Sequence, residues 1–434
     1  MDKMADVLGR AGAWCGQNKY LSAIKNAFQN FMPLTIAGAI GVLWCNVLVN
    51  ESTGLGIFFK PIMALEFLNP AFQAVNFCTI SCITVGITLG IAQEIGVWNM
   101  GAEKAGYIPG LVGLAAWLSV TNTSHMVEGA KEAFTGIAGN ELGATGLFTG
   151  MIIGVLSVEL FCFFEKQDAL KIKMPEQVPP GVARAFEVLV PATITLIITA
   201  CIGSACYNLT GLYLNDVIKN GIQGPLGAVG ATIPGVMIIY LVIMLFWLVG
   251  IHGNNMLSAV KEALFTPLAL ENVEKFNKGE KPTNIINMYF LQMCGEFGGS
   301  GVTIGLVIAI MIFGKREDNK AIATLSLVPG LFNINETVTF GIPMVLNPIL
   351  GIPFVVAPLI TIIIGYVLTV IGFCPVACLT VPWTTPPIVF GFLATGANVM
   401  GAVTQAILIV VSTVIYVPFL IAYEKYQNKQ AAEA

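Results

Sequence analysis

The sequence predicts an all-α polytopic membrane protein, and three observations support that fold class. Of the 434 residues, 56% are hydrophobic and only 11% are charged, whereas soluble globular proteins carry about 25% charged residues. The mean hydropathy is +0.80. Long apolar runs recur along the whole chain, and a membrane-spanning helix needs about 20 such residues. Because a soluble fold cannot hide so much apolar surface, the lipid bilayer must surround much of the chain.

Composition and charge exclude several classes of protein. The net charge of −4 gives no sign of a nucleic-acid partner. The ten cysteines are scattered without a CxxC pair, so we expect buried, reduced thiols. With only two histidines, His125 and His252, a multi-histidine zinc or haem site is not expected. The sequence therefore predicts no metal and no cofactor.

The first 27 residues predict an amphipathic helix on the cytoplasmic face of the membrane. Charged residues interrupt this segment, which lacks the apolar core and the cleavage site of a signal peptide. Val7, Leu8, Ala11 and Trp14 follow helical spacing.

Apolar runs then follow one another to the end of the chain. Three of them are too short to span a membrane alone and predict tilted, broken or re-entrant pieces: 108–120, 321–332 and 386–397. In transporters such breaks often mark the substrate site. The other runs are approximately 31–49, 71–95, 142–164, 186–208, 232–251, 285–313, 346–372 and 402–423.

The distribution of Lys and Arg predicts a multi-pass membrane protein with both termini in the cytoplasm. The longest early polar segment, 165–184, contains four basic residues, and the chain's start and tail are also basic. Four crossings before residue 165 satisfy this bias. They place residues 50–70 and 121–141 outside, where His125 is expected to be solvated.

The run 285–313 admits two interpretations. Basic loops flank it at 275–281 and 315–320, and both cannot be cytoplasmic if the run is one plain span. Its middle contains GEFGGSG, 295–301, so we predict a re-entrant hairpin that turns at these glycines. The alternative is one long span with a glycine kink.

The polar segment 165–184 divides the chain into two predicted domains. Residues 1–180 contain few polar residues in apolar context and predict a membrane scaffold with a dimer interface. Residues 181–434 contain almost all the candidate chemistry and predict the domain that binds and translocates a substrate.

The first cluster of candidate site residues is FWLVGIHGNN, 246–255. Polar residues inside membrane segments are costly and therefore indicate function. An apolar helix ends here in His252, Asn254 and Asn255, which offer both hydrogen-bond donors and acceptors. Trp247 adds an aromatic face one turn earlier. The alternative is a capped helix end with His252 at the lipid interface.

The second cluster is PGLFNINETVTFGIP, 329–343, which places Asn333, Asn335 and Glu336 between strongly apolar runs. A carboxylate in this position needs partners, because an unpaired buried charge costs several kcal/mol or changes its protonation. Sugar hydroxyls are suitable partners. The alternative is a loop at the membrane surface with a solvated Glu336.

The third cluster is FCPVACLTVPWTTPPIVFGFLATG, 373–396. Its prolines forbid a continuous helix, so it predicts a second hairpin, which presents Trp383 and neighbouring hydroxyls. The alternative is that Trp383 is a simple interfacial anchor.

Amides, a carboxylate, a histidine and tryptophans together indicate a carbohydrate site. Sugars have apolar faces that stack on indole rings and rims of hydroxyls that need hydrogen-bond partners. A phosphate-handling site would need Arg or Lys, and the three clusters contain neither. Glu94, Glu159 and Glu187 are expected to act in gates, ion pairs or packing, and for Glu296 in the glycine segment a ligand role stays open.

This succession of motifs, GIHGNN, NINETVTFGIP and VPWTTPP, resembles the membrane C component of the bacterial sugar phosphotransferase enzymes II. Within that family it is similar to the lactose, cellobiose and N,N′-diacetylchitobiose branch, over essentially the whole chain. The resemblance implies a homodimer in the bacterial cytoplasmic (inner) membrane, with about ten transmembrane helices plus two re-entrant hairpins. It also implies dimer contacts in the first half and sugar binding in the second.

The resemblance further implies uptake coupled to phosphorylation of the 6-hydroxyl of a β-linked disaccharide. The donor is the phosphocysteine of a B component, which an A component and the phosphocarrier HPr supply. The catalytic glutamate and histidine of the family fall on Glu336 and His252, as general base and orienting donor. The other sugar contacts implied are Asn254, Asn255, Asn333, Asn335, Trp247 and Trp383.

Some members of this family carry a fused B or A component. This sequence ends soon after its last apolar run, so we expect the phosphoryl donor on another chain. The sugar is expected to be diacetylchitobiose, cellobiose or lactose. The alternative function is a proton-coupled sugar symporter in which Glu336 and His252 relay protons.

Overall fold

A computed structural model of the chain describes residues 10, 13–14, 17–51, 56, 59–125, 134–175, 177–342 and 344–433. Within these ranges the chain is overwhelmingly helical, which confirms the predicted all-α class. Most of the apolar positions at 7–14 in the predicted amphipathic helix lie outside the described residues. Residues 126–133 of the predicted outward segment 121–141 also lie outside them.

The helices agree closely with the predicted apolar runs, and several extend beyond them. In chain order they are α1 Lys19–Leu43, α2 Asn69–Asn76, α3 Ile83–Met100, α4 Ala102–Ala105, α5 Ile108–Val120, α6 Gly139–Leu142, α7 Ala144–Glu165, α8 Pro180–Thr210, α9 Leu214–Ile218, α10 Gly224–Gly230, α11 Ile233–Leu248, α12 Gly253–Met256, α13 Ser258–Asn277, α14 Met288–Gly295, α15 Ile304–Phe313, α16 Glu317–Leu331, α17 Glu336–Gly341, α18 Gly351–Val370, α19 Val389–Ala394 and α20 Val399–Glu433.

Shorter elements complete the described chain. Two-residue strands, β1 Ser124–His125 and β2 Phe134–Thr135, pair antiparallel with Ser124 opposite Thr135. The 3₁₀ segments are Lys60–Leu68, Asp168–Leu170 and Ser300–Val302, and the π-helical turns are Trp44–Leu48, Phe77–Ser81 and Lys219–Gln223.

Length and composition identify five helices in the described residues that are able to cross a membrane, or seven if each of two bent pairs is one span. Two further apolar helices, α5 and α11, are shorter. The run predicted at 71–95 belongs to one of the bent pairs, Lys60–Ser81 and Ile83–Met100, with an angle of 42°. The polytopic class is therefore confirmed, whereas the count of ten spans stays a prediction.

The segment predicted as the first hairpin is broken at its glycines. We call residues 295–301 the glycine break. Gly298, Gly299 and Gly301 have φ angles of 69°, 88° and 75°, which glycine adopts without steric cost. The helical pieces on either side are bent by 59°, an angle that fits either a broken span or a re-entrant loop. The choice between the predicted hairpin and one kinked span therefore stays a prediction.

Polar contacts hold the loops at the two ends of this segment. The Asn46 side chain, just beyond α1, donates to Asn277 Oδ1 at 3.2 Å. At the other end of the broken segment, the Lys315 N–H donates to the Glu424 carboxylate of α20 at 2.9 Å. The side of the membrane on which each basic loop lies stays a prediction.

The proline-rich segment 373–396, described throughout, contains no continuous helix, as its prolines predicted, and only α19 is regular. The backbone N–H groups of Cys378 and Leu379 donate to the Ala394 carbonyl at 2.8 and 3.0 Å. The segment thus doubles back on itself, and we call it the proline hairpin. Its re-entry into the membrane stays a prediction.

The chain folds into two compact units. The N-terminal unit contains Gln17–Gly38 and Ala74–Gly227, and the C-terminal unit contains Ala39–Gln73 and Ala228–Ala434. The boundary between these compact units falls near residue 228, with an early segment in the later unit. The predicted functional boundary near residue 180 stays a prediction. The predicted roles of the two parts, scaffold and substrate domain, stay predictions.

Acidic residues of the N-terminal unit have polar partners there. Glu159 forms an ion pair with Lys19 at 2.6 Å, and Glu187 forms one with Arg184 at 2.7 Å. Glu94 accepts from the Asn26 amide at 2.9 Å. These contacts confirm the pairing and packing roles expected for the three glutamates. A buried hydrophobic cluster of this unit contains Trp117 of α5 and Ile153 of α7.

Candidate functional site

His252 lies in the tight turn between α11 and α13. Gly250, at φ 81°, makes the turn possible, and His252 is the N-cap of α12. Its Nδ1 accepts the Asn255 backbone N–H at 3.3 Å. Because Nδ1 is an acceptor, the proton of the neutral imidazole is on Nε2.

Glu336 begins α17 and faces this histidine. Its Oε1 lies 3.8 Å from His252 Nε2, and the two side chains are 47% and 38% exposed. The structure thus brings together the two residues predicted to be catalytic. The separation is longer than a hydrogen bond, which is about 2.9 Å. Both groups therefore retain hydrogen-bonding capacity for a third group.

Trp247 packs against the imidazole of His252. Its ring lies 4.4 Å from that of His252, centroid to centroid, and 6.4 Å from that of Phe354. The side chain is only 2% exposed, and its indole N–H is buried without a hydrogen-bond partner in the described residues. Because Trp247 is buried, it is better placed to support the His252 ring than to make the predicted contact with sugar.

The two predicted asparagines of the second cluster hold backbone groups. Asn333, with φ 63°, donates to the carbonyls of Trp383 and Thr385 and accepts the Gly298 N–H at 2.6 Å. Asn335 is buried and donates to the Ser300 carbonyl at 2.8 Å. Both amides therefore fix the glycine break beside Glu336, and Asn333 also fixes the proline hairpin.

Trp383 is the predicted aromatic contact that remains accessible, with 44% of its surface exposed. The hairpin that carries it is anchored by Gln405, whose Oε1 accepts the N–H groups of Ile388 and Gly391 at 2.7 and 2.8 Å. Gln405 Nε2 donates in turn to Met293 of α14 at 3.1 Å. The hydrogen bonds of Gln405 therefore hold in place the hairpin that carries the exposed indole.

Asn254 and Asn255 differ in their surroundings. Asn255 is exposed, next to His252. The Oδ1 of Asn254 is buried and has no hydrogen-bond partner among the described residues. A buried acceptor without a partner costs about 1–3 kcal/mol, so a donor from a bound molecule or water is expected there.

The structure adds one charged residue, Lys261, to this region. Lys261 of α13, 6% exposed, forms an ion pair with Glu296 of the glycine break. Tyr240 of α11 donates to the same Glu296 oxygen at 2.8 Å. The sequence signal for Lys261 was a basic residue within an apolar stretch shortly after GIHGNN, but it lies outside the three clusters.

The described residues contain no group of three or more His, Cys, Asp or Glu side chains able to hold a metal ion. The nine cysteines in the described part of the chain are unpaired, and four of them are buried.

Comparison with known proteins identifies the class. The family model described as "Phosphotransferase system, EIIC" matches residues 25–358. The oligo-beta-mannoside-specific EIIC component of Bacillus subtilis is 33% identical to this chain, over 98% of this chain and 94% of its own length. The cellobiose-specific EIIC component of Lactococcus lactis is 30% identical, over 98% of each.

A solved structure gives the same result. The chain resembles the crystal structure of the transporter ChbC, the IIC component from the N,N′-diacetylchitobiose-specific phosphotransferase system. The TM-score is 0.88 at 29% identity, and the match covers 97% of both chains.

This chain belongs to the EIIC family of the bacterial phosphotransferase system. It is an integral membrane sugar permease of that system, whose C components work with A and B components. Membership confirms the predicted family and does not favour the symporter.

Proposed function

We propose that this chain binds and translocates a β-linked disaccharide and presents its 6-hydroxyl to the phosphocysteine of a B component. The observation that carries the proposal is the separation of 3.8 Å between Glu336 Oε1 and His252 Nε2. The names of the relatives support the sugar class, because they include cellobiose, oligo-beta-mannoside and diacetylchitobiose systems. The choice among diacetylchitobiose, cellobiose and lactose depends on a few side chains.

The geometry suits one hydroxyl group between the two residues. An oxygen about 2.8 Å from both atoms fits beside a gap of 3.8 Å. Such a hydroxyl would donate to the Glu336 carboxylate and accept from the His252 Nε2–H. The tautomer supports this polarity, because Asn255 occupies the other ring nitrogen.

The transfer step moves the phosphoryl group from the cysteine sulfur of the B component to the 6-oxygen of the sugar. The 6-oxygen attacks the phosphorus of the phosphocysteine, the P–O bond forms, and the S–P bond breaks to release a thiolate. Glu336 takes the hydroxyl proton as general base. The His252 Nε2–H keeps the sugar oxygen oriented toward the donor.

The remaining contacts follow from exposure. Trp383 offers an accessible indole face to the sugar ring, and the unpartnered Asn254 Oδ1 offers an acceptor to a hydroxyl. Asn255 is exposed beside them. The homodimer, and the separation of scaffold and substrate-binding parts, stay predictions.

The proposal is tested by phosphorylation in membrane vesicles that contain the chain. Diacetylchitobiose, cellobiose and lactose are each supplied with phosphoenolpyruvate, the phosphoryl-relay proteins and the B component, and the product is analysed. We expect a 6-phosphorylated disaccharide that forms only with the complete relay. Binding of all three sugars without phosphorylation of any would contradict the proposal.

A further inference from the structure

We propose that Lys261 and Glu296 are positioning residues: their ion pair fixes His252 and Glu336 relative to each other and so governs the transfer step. The inference rests on the proposed function. It concerns two residues that lie outside the predicted pair of catalytic side chains and that act through them.

The pair is largely shielded from solvent, with 7% of the Lys261 side chain and 17% of the Glu296 side chain exposed, and it is doubly anchored. Glu296 Oε1 accepts both from Lys261 Nζ and, at 2.8 Å, from the Tyr240 hydroxyl. Tyr240 is fully buried, and Lys261 Nζ lies 5.8 Å from the centroid of its ring. A shielded charge that loses its partner is strongly destabilising. The two side chains are therefore held together firmly.

One side of the pair belongs to the segment that carries His252. Tyr240 lies in the middle of α11, the helix that precedes the His252 turn. Lys261 lies near the start of α13, the longer helix that follows the turn. The Lys261 backbone N–H donates to the Leu257 carbonyl at 2.9 Å. The histidine turn is thus held between the two partners of Glu296.

The other side of the pair leads to Glu336. The Glu296 carbonyl accepts the Gly299 N–H at 3.0 Å. Neighbouring residues of the glycine break bind the Asn333 and Asn335 amides at 2.6 and 2.8 Å, and Glu336 follows Asn335 directly.

The backbone between Glu296 and Glu336 is closely packed. A Cβ atom on Gly299 would lie 2.6 Å from the Asn335 side chain, which is closer than van der Waals contact allows. Glycine-rich backbone is otherwise conformationally free. The ion pair therefore adds a restraint at Glu296 to the restraint that packing provides at Gly299, and together they set the gap between the two reacting side chains.

The test compares four forms of the full-length chain in detergent and in vesicles. They are the wild type, the neutral pair Lys261→Met with Glu296→Gln, the reversed pair Lys261→Glu with Glu296→Lys, and a matched control. The control, Lys19→Met with Glu159→Gln, removes an ion pair of 2.6 Å in the N-terminal unit. The probe is whichever of diacetylchitobiose, cellobiose and lactose the wild type phosphorylates, and its Kd, kcat and KM are measured.

We expect the neutral pair to lower kcat by roughly 10–100-fold, as small misplacement of reacting groups does, while Kd changes by less than about threefold. The reversed pair should regain part of the lost kcat, and the control should match the wild type. A neutral pair with wild-type kcat would overturn the inference. So would a Kd that weakens as much as kcat/KM falls, because the two residues would then bind sugar directly.

If the neutral pair fails to fold, Tyr240→Phe and the reversed pair decide. Tyr240→Phe removes one hydrogen bond to Glu296 and should lower kcat severalfold at constant Kd, whereas wild-type kcat in both variants would overturn the inference. A wild type that phosphorylates none of the sugars overturns the proposed function and the inference with it. A phosphorylating wild type with unaffected variants overturns the inference alone.

Discussion

The side chain of Asn333 donates to the backbone carbonyl of Trp383 and so joins two segments that are distant in sequence. The same amide accepts the Gly298 N–H at 2.6 Å. One residue thus ties the proline hairpin, with its exposed indole, to the glycine break beside Glu336. The site is held together by amide groups that bind backbone.

Asn333→Asp should destabilise the protein by about 1–3 kcal/mol, because it loses two donated hydrogen bonds that contribute about 0.5–1.5 kcal/mol each. The variant keeps the acceptor for Gly298 but loses the donor to the hairpin carbonyls. Thermal unfolding in detergent measures the effect. Asn398→Asp is the control, because the exposed Asn398 uses its oxygen to accept the Met400 N–H; equal destabilisation by the two changes would contradict the linking role.

Glu336→Gln should reduce phosphoryl transfer by about 10²–10⁴-fold, the range for loss of a general base. The amide keeps the size and one acceptor oxygen, so sugar affinity should change by less than about tenfold. Single-turnover transfer from the phosphorylated B component gives the rate, and calorimetry gives the affinity. Glu94→Gln, in the N-terminal unit, should transfer at the wild-type rate. Normal transfer by Glu336→Gln would remove the residue from the chemistry.

Trp383 and Trp247 should respond differently to substitution. Trp383→Ala should weaken sugar binding about tenfold, equivalent to about 1.4 kcal/mol, with little change in stability because the ring is exposed. Trp247→Ala should cost about 3–5 kcal/mol of stability, as for other buried aromatic residues. Binding and thermal unfolding, measured on both variants, decide the matter, and the reverse pattern would contradict the assigned positions.

Gly301→Ala should be far more damaging than Gly279→Ala. Both glycines have similar positive φ angles, 75° and 72°, so both changes carry backbone strain of about 1–2 kcal/mol. A Cβ on Gly301 would also lie 2.4 Å from the Phe354 ring, whereas a Cβ on Gly279 meets nothing within 4 Å. Unfolding temperatures test this, and equal losses would show that the Phe354 contact is unimportant.

Much of the fold was predictable because membrane helices are encoded in continuous apolar runs. The run 108–120 coincides with α5, and 142–164 with α7 to within two residues at either end. The glycine break was also located correctly, since three of its glycines adopt positive φ. Whether this segment crosses the membrane or re-enters it stays a prediction, because a bend of 59° fits both geometries.

The chemistry of the site was only partly predictable. The sequence brought out Glu336 and His252 because ionisable groups are rare in apolar context, and the structure pairs them. Residue type alone could not separate an indole that faces outward, Trp383, from one buried under a histidine, Trp247. Lys261 was missed because its partner, Glu296, is adjacent in the fold and not in the sequence.

We propose that this permease couples sugar entry to phosphorylation. The most direct test loads vesicles with the phosphoryl relay, supplies labelled disaccharide outside, collapses the proton gradient with an uncoupler, and identifies the sugar that accumulates. The account predicts sugar 6-phosphate inside at an undiminished rate. Unmodified sugar that accumulates only while the gradient is intact would contradict it and assign Glu336 and His252 to proton coupling.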